Sequence, residues 1–211
     1  MLSRKEHTSQ PISGDGQVRQ YAQKHESRPR LMYRTFLKRM GTVKPAGKCL
    51  EVGAGTGALS CLLAQEHPGI TITASDISPH MVDLARKNVR ENGLDRAIRC
   101  ICADVNNDKE MGPLGTFDLI FSAYSLHHWR DPKRSLSNLW AALGNRGMLY
   151  ILDLRRVWWL YLLPGNGGFI SSIRASYRPD EIKDIFRDLG VTKYEIQTAF
   201  PGFIQSIIAW K

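Results

Sequence analysis

The sequence predicts an α/β fold, a doubly wound and mostly parallel sheet that ends in an antiparallel hairpin, and three observations carry that prediction. From Lys48 onward, short apolar runs alternate with amphipathic stretches of helical period, the pattern of parallel strands covered by helices on both faces. A glycine-rich turn, Gly53-Ala54-Gly55-Thr56-Gly57, joins the first apolar run to the first helical one. Near the C-terminus two strand-like runs, 191–200 and 203–210, are separated only by Pro201 and Gly202. That link is too short for a crossover helix and suits a hairpin.

The elements follow in order. Residues 1–16 mix Ser, Gly, Pro and charge without periodicity and read as a mobile tail. Residues 17–211 form one domain, because 211 residues with 43% hydrophobic side chains bury a sizeable core without metal or disulfide staples. Tyr21 to Met40 reads as helical and broken near Pro29. Strands are expected at 48–53, 70–75, 97–103, 117–122 and 147–153, and helices near 57–66, 79–92, 133–143 and 179–189. With the hairpin the strands number seven, and there is no internal repeat.

Composition narrows the function. The longest apolar stretch, Val157 to Leu163, is far shorter than the roughly 20 residues that span a bilayer. The N-terminus lacks the apolar run of a secretory signal, so a cytoplasmic protein without a transmembrane segment is expected. Cys49, Cys61, Cys100 and Cys102 show no C-x-x-C pair and read as small buried side chains, not as a metal or redox site. The net charge is +9, and residues 1–48 hold eleven Lys and Arg against three acids. Such a segment attracts nucleic acid, an anionic membrane surface or an acidic small molecule, or is simply a solvated helical face.

Glycines after the first strand let the chain turn sharply and let a ligand approach the main chain. Gly53-x-Gly55-x-x-Ala58 satisfies the loose dinucleotide fingerprint, and Asp76 lies eighteen residues beyond Ala58, where an acid would bind a ribose. Glu51, just before the turn, would repel a pyrophosphate and would favour a ligand that carries an ammonium and a sulfonium but no phosphate. Both readings stay open on this turn alone.

With the acid included, Glu51 to Gly57 reads acid-x-Gly-x-Gly-x-Gly, and here the chain resembles the class I (Rossmann-like) S-adenosylmethionine-dependent methyltransferases. The resemblance continues through Asp76 after the second strand, Cys102-Ala103-Asp104-Val105 after the third, and Phe117 to His128 along and beyond the fourth, covering roughly residues 20–211. It implies a Rossmann-like seven-stranded sheet and S-adenosylmethionine as cofactor. Contacts are then expected from Tyr21, Glu51, Gly53, Ala54, Gly55, Gly57, Asp76, Ile77, Met81, Asp104, Val105, Ser122, Ala123 and Tyr124. Asp76 would hold the ribose hydroxyls and Asp104 the adenine amino group. If Asp76 only capped the next helix, Ser78, directly before Pro79, would do so better. The resemblance also makes residues 17–45 a helical lid, with Arg30 and Arg34 facing the mouth, and 154–178 a substrate-covering insertion.

Methyl transfer is an in-line displacement, so orientation and desolvation supply much of the acceleration and a base serves only some acceptors. His127 and His128, after the fourth strand, are the candidates for base or orienting group, or form a structural turn; Asp118 reads as structural. The run Ser122-Ala123-Tyr124-Ser125 lacks the paired prolines of the enzymes that methylate base amino groups or glutamine amides. It is nearer to the small-molecule group that includes the quinone-biosynthesis C-methyltransferases. In the insertion, Arg155 and Arg156 suit an anionic group, and Trp158, Trp159 and Tyr161 a ring or lipid tail. The same aromatics could instead fill the core or an oligomer interface, and Gly165 to Gly168 suggest a hinge. The expected partner is a small-molecule acceptor. An RNA or other nucleic-acid methyltransferase using the basic N-terminal segment is the alternative, and a cofactor-binding subunit without activity is a third reading.

Overall fold

The computed structural model describes Arg4 and residues 29–161, 168–199 and 201–211. The tail at 1–16, the lid contact Tyr21 and most of the Gly165–Gly168 hinge lie outside the described residues. Two short helices, α1 (Pro29–Met32) and α2 (Arg34–Val43), precede the sheet. Then come β1 (Lys48–Val52), α3 (Ala58–Glu66), β2 (Thr71–Asp76), α4 (Pro79–Glu91), β3 (Ile98–Cys102), α5 (Asp108–Met111), β4 (Phe117–Ala123), α6 (Pro132–Ala142) and β5 (Leu143–Leu154). The chain ends with α7 (Gly168–Ala175), α8 (Pro179–Asp188), β6 (Tyr194–Ala199) and β7 (Ile204–Trp210).

The seven strands lie in the order β3-β2-β1-β4-β5-β7-β6. Only β7 runs against the others, paired antiparallel with β5 on one side and β6 on the other. The expected parallel sheet and terminal hairpin are both present. Strand order reverses between β1 and β4, and in such sheets ligands bind at the carboxyl ends of the strands beside the reversal.

Alternation along the strands divides the core. Cys49, Tyr150 and Leu152 face one side with Phe36, Met40, Leu63 and Val82. Leu50, Leu149 and Ile151 face the other with Leu136, Leu139, Ile182 and Phe186. Side chains one residue apart on a strand point to opposite faces, so a sheet buried on both faces needs such continuous apolar runs. Phe36 is fully buried and stacks on Tyr150 with ring centroids 4.8 Å apart, which fixes α2 on the sheet. A third, smaller cluster of Leu154, Val157, Leu160 and Ile173 lies under the insertion.

One expectation about the elements is corrected and two features are added. A helix opens at Pro29, and a further interruption falls at Tyr33, between α1 and α2. A proline is tolerated in the first turn because its missing N–H would have no partner there. Strand β5 begins at Leu143, not near 147, because the chain leaves α6 directly in extended form, with a register shift opposite Phe117 and Leu119. Helix α7 inside the insertion had no counterpart in the sequence reading.

Candidate active site

Polar residues gather at the carboxyl ends of β1 to β5. The three glycines of the first turn have positive φ values of 70°, 53° and 74°, a region that side-chain-bearing residues avoid. A Cβ on Gly53 would lie 2.0 Å from Ser125 Oγ, and one on Gly57 3.1 Å from Ala85 Cβ in α4. One on Gly55 would meet nothing within 4 Å. The outer glycines thus permit close packing, and the middle one fronts open space where a ligand can reach the backbone.

Asp76 completes that opening. Gly55 N–H donates to its Oδ2 at 2.8 Å and Ser78 N–H to its Oδ1 at 2.9 Å. The Ile77 N–H also donates to this carboxylate, which leaves about one acceptor position for a ligand hydroxyl. Burial holds this carboxyl above its usual range, with the backbone donors opposing the shift. Helix α4 is capped by Ser78, whose Oγ accepts from Met81 N–H at 3.4 Å, so capping is not the task of Asp76.

Glu51 lies deeper than expected. It is 2% exposed, accepts a hydrogen bond from the Ser60 hydroxyl of α3, and is pushed up to about 8 by burial despite that bond. Its carboxyl sits beneath the turn, not on its open face. Asp104 is half-buried at the far end of the cleft. Its Oδ1 accepts from Asn106 N–H and Nδ2 at 2.9 and 3.1 Å, and Arg130 lies 3.5 Å from its Oδ2. It borders a depression of about 420 Å³ with Asn106, Asn107, Arg130, Asp131 and Arg134. Ile77 is exposed beside Asp76, whereas Met81 and Val105 point into the interior, so only the main chain of Val105 can meet a ligand.

At the end of β4, the buried Ser122 donates its hydroxyl to Val52 O at 2.8 Å and ties β4 to β1. Ala123 is half-buried beside it. Tyr124 has a φ of 56°, donates its hydroxyl to Met32 O at 3.2 Å, and has its phenol pushed up to about 12, chiefly by burial. It joins the N-terminal helices to the cleft.

The two histidines differ. His127 is 3% exposed, and both its N–H and its Nδ1 lie 2.8 Å from the Asp153 carboxylate of β5, which is fully buried. His128 is exposed, its ring centroid 4.1 Å from that of His127. Sequence reasoning missed Asp153, Ser60 and Ser125. An acid within the apolar run Leu149 to Leu154 was a signal for the first; the two serines gave none.

The insertion separates its expected substrate residues. Arg155 holds Thr198 Oγ1 of the hairpin, and its N–H donates to Phe203 O at 2.7 Å. Arg156 is 5% exposed and engaged by Glu181 and Ser176 O, which corrects its expected role as an anion ligand: its guanidinium joins the insertion to α8. Trp158 and Trp159 are 70% and 42% exposed. Neither fills the core, which takes Val157 and Leu160 instead. Tyr161 closes their 3-10 turn. Arg34 is exposed, and Arg30 pairs with Glu66 of α3 at 2.9 Å. Asp118, read as structural, accepts from Lys48 N–H at 2.8 Å. Three cysteines are buried as expected, but Cys102 is exposed at the end of β3. Among the described residues no group of His, Cys, Asp or Glu could hold a metal, and no helix is long and apolar enough to cross a membrane.

An open backbone at Gly55, the Asp76 carboxylate beside it and a buried carboxyl beneath the turn meet at the strand ends of a doubly wound fold. Comparison with known proteins agrees. A family profile described as a methyltransferase domain matches residues 50–149. Demethylmenaquinone methyltransferase of Thermus thermophilus is 26% identical over 178 residues, 74% of this chain and 79% of that protein. Malonyl-[acyl-carrier protein] O-methyltransferase of Anoxybacillus flavithermus is 32% identical over 118 residues, 56% of this chain and 42% of that protein. The crystal structure of a SAM-dependent methyltransferase from Aquifex aeolicus superposes with a TM-score of 0.72 at 21% identity, covering 94% of this chain and 99% of that one. The chain matches a methyltransferase domain over just under half of its length and in fold resembles the class I S-adenosylmethionine-dependent methyltransferases. Its cofactor is S-adenosylmethionine.

Proposed function

We propose that this enzyme methylates a small-molecule acceptor with a flat or lipophilic portion. The observation that carries the reading is the exposure of Trp158 and Trp159 on an insertion that packs beside the Leu126–His128 turn. The names of the relatives support it, since a demethylmenaquinone and a malonyl thioester are both small acceptors.

When bound, the cofactor supplies an electrophilic methyl group on a sulfonium. The chain supplies position and dryness. Asp76 and the Gly55 backbone hold the sugar, Asp104 faces the base, and Glu51 places a carboxyl near the cationic end, where losing its proton strengthens the attraction. Buried and gripped twice by Asp153, His127 is a positioning residue. The exposed His128, its ring tilted against that of His127, is the group able to take a proton from the acceptor. Residues 29–45, 154–161 and 168–178 flank the cleft and restrict water.

The nucleic-acid alternative rests on the charge of residues 1–48, yet Arg30 and Arg39 in that segment already pair with Glu66 and Glu195. Transfer of labelled methyl groups to a panel containing a demethylated short-chain quinol, a malonyl thioester and unmodified transfer RNA tests the choice. Label is expected in a small acceptor; label in RNA alone would overturn the proposal.

A further inference from the structure

Two short turns meet at the carboxyl ends of β1 and β4: the glycine turn, and the turn from Ser125 to Trp129 that carries the histidines. One side chain joins them. A Cβ on Gly53 would lie 2.0 Å from Ser125 Oγ and 2.6 Å from Ser125 Cβ, and apart from chain neighbours no other described residue comes within 4 Å of it. Ser125 therefore fills the notch that the missing side chain of Gly53 leaves. Earlier on the same strand end, the Ser122 hydroxyl donates to Val52 O at 2.8 Å, so Val52 and Gly53 are each met by a serine from the end of β4. Between the two serines lies the left-handed step at Tyr124, with a φ of 56°.

The same serine organises the histidine turn from within. Its carbonyl accepts from His128 N–H at 2.9 Å, and its hydroxyl accepts from the Trp129 indole N–H at 3.1 Å. Trp129 is 6% exposed and belongs to the core together with Leu126. On the other side, His127 N–H donates to the Asp153 carboxylate at 2.8 Å and fixes the turn to β5. Asp153 thus sets the turn against the acceptor side, and Ser125 sets it against the cofactor side. In-line transfer is intolerant of error in that spacing, since a displacement of about 1 Å can cost roughly a hundredfold in rate.

We propose that Ser125 is a positioning residue whose seat on Gly53 fixes how far His128 stands from the methyl group of the bound cofactor. The hydroxyl acts by filling the notch and by holding the indole, and it moves no proton. An alanine keeps the Cβ but vacates the notch and strips the buried Trp129 N–H of its acceptor. The turn then stays tied to β5 and loses its reference to the glycines. The inference rests on the reading of His128 as the acceptor's base, but the seat itself is measured without turnover.

Calorimetry with S-adenosylhomocysteine on the wild-type chain, Gly53→Ala, Ser125→Gly and the double variant tests the seat. Gly53→Ala should weaken binding at least about tenfold more in the wild-type background than in the Ser125→Gly background, because the added methyl group meets Ser125. The strain of a side chain at a φ of 70° is common to both backgrounds and cancels. In isotope-labelled chain, the Trp129 indole N–H resonance, identified by its loss in Trp129→Phe, should move when S-adenosylhomocysteine is added. Ser125→Ala should reduce that movement at least about threefold. With an acceptor that takes label, Ser125→Ala should lower kcat about tenfold and leave the KM for S-adenosylmethionine within about twofold, and Ser125→Thr, which keeps the oxygen, should recover most of the loss. Unchanged circular dichroism establishes that each variant is folded. Additive losses in the calorimetric cycle, a Trp129 shift indifferent to Ser125→Ala, or a loss of cofactor affinity in Ser125→Ala as large as its loss of kcat would each overturn the proposal. A fully active His128→Ala beside an impaired Ser125→Ala would instead overturn the base reading and leave the seat standing.

Discussion

The cofactor side and the acceptor side of the cleft are built differently. On the first, β1 to β4 end in short polar signatures whose groups are bound to each other within the sheet: Gly55 to Asp76, Ser60 to Glu51, Ser122 to Val52. On the second, the cap after β5 is held by contacts with distant parts of the chain, Arg156 to Glu181 and Arg155 to Phe203, and turns its aromatics outward. On the proposed reading, the cofactor is met by strand ends and the acceptor by an added piece. The first side should therefore fail all at once when altered, and the second by degrees.

The largest effect is expected from Asp76→Ala and Gly55→Arg, each reducing S-adenosylhomocysteine affinity at least about a hundredfold in calorimetry, because a charge-assisted bond or the open backbone is lost. The fold should survive with some loss of stability, since a side chain at Gly55 meets no neighbour but must take a φ of 53°. Next, His128→Ala should lower turnover by roughly a hundredfold with cofactor affinity retained. Asp153→Asn should lower it about tenfold through the misplaced His127, and full activity in both variants would remove the histidine pair from the mechanism.

A smaller effect follows from Glu51. Its folded-state value of about 8 lies above the ordinary 4.5, so the ligand-free fold favours the protonated carboxyl. That contribution to stability is complete below about 4.5 and is lost as pH rises through about 8. The cationic cofactor favours the ionised form, so its affinity should rise with pH up to about 8, by at most about tenfold per unit. Calorimetry in two buffers of different ionisation heat should show proton release, and Glu51→Gln should abolish it. The smallest expected effect is that of Asp118→Ala, which removes the bond to Lys48 N–H. It should lower stability by about 1 kcal/mol in urea unfolding without altering turnover.

The same contrast explains what the sequence disclosed. Strand runs and the glycine turn were readable because each depends on local period and spacing, whereas the acids at 51, 76 and 104 were picked out through the resemblance. The hairpin was readable because Pro201-Gly202 allows nothing longer. The depth of Glu51 was not, since it depends on Ser60 nine residues later folding over it in α3. Nor was the pairing of Arg156 with Glu181, twenty-five positions away, which turned an expected substrate ligand into a brace. Asp153 was overlooked because a lone acid in an apolar strand shows its purpose only when His127 is brought against it.

Tyr124 gives the two covers of the cleft a shared latch. Its left-handed backbone sends the hydroxyl to the end of α1 while its ring rests on the cap's small core. Pulling either cover away strips the phenol of its acceptor or of its packing. On the proposed reading donor and acceptor enter through doors hung on one pin, and loosening that pin by Tyr124→Phe should let one swing without the other.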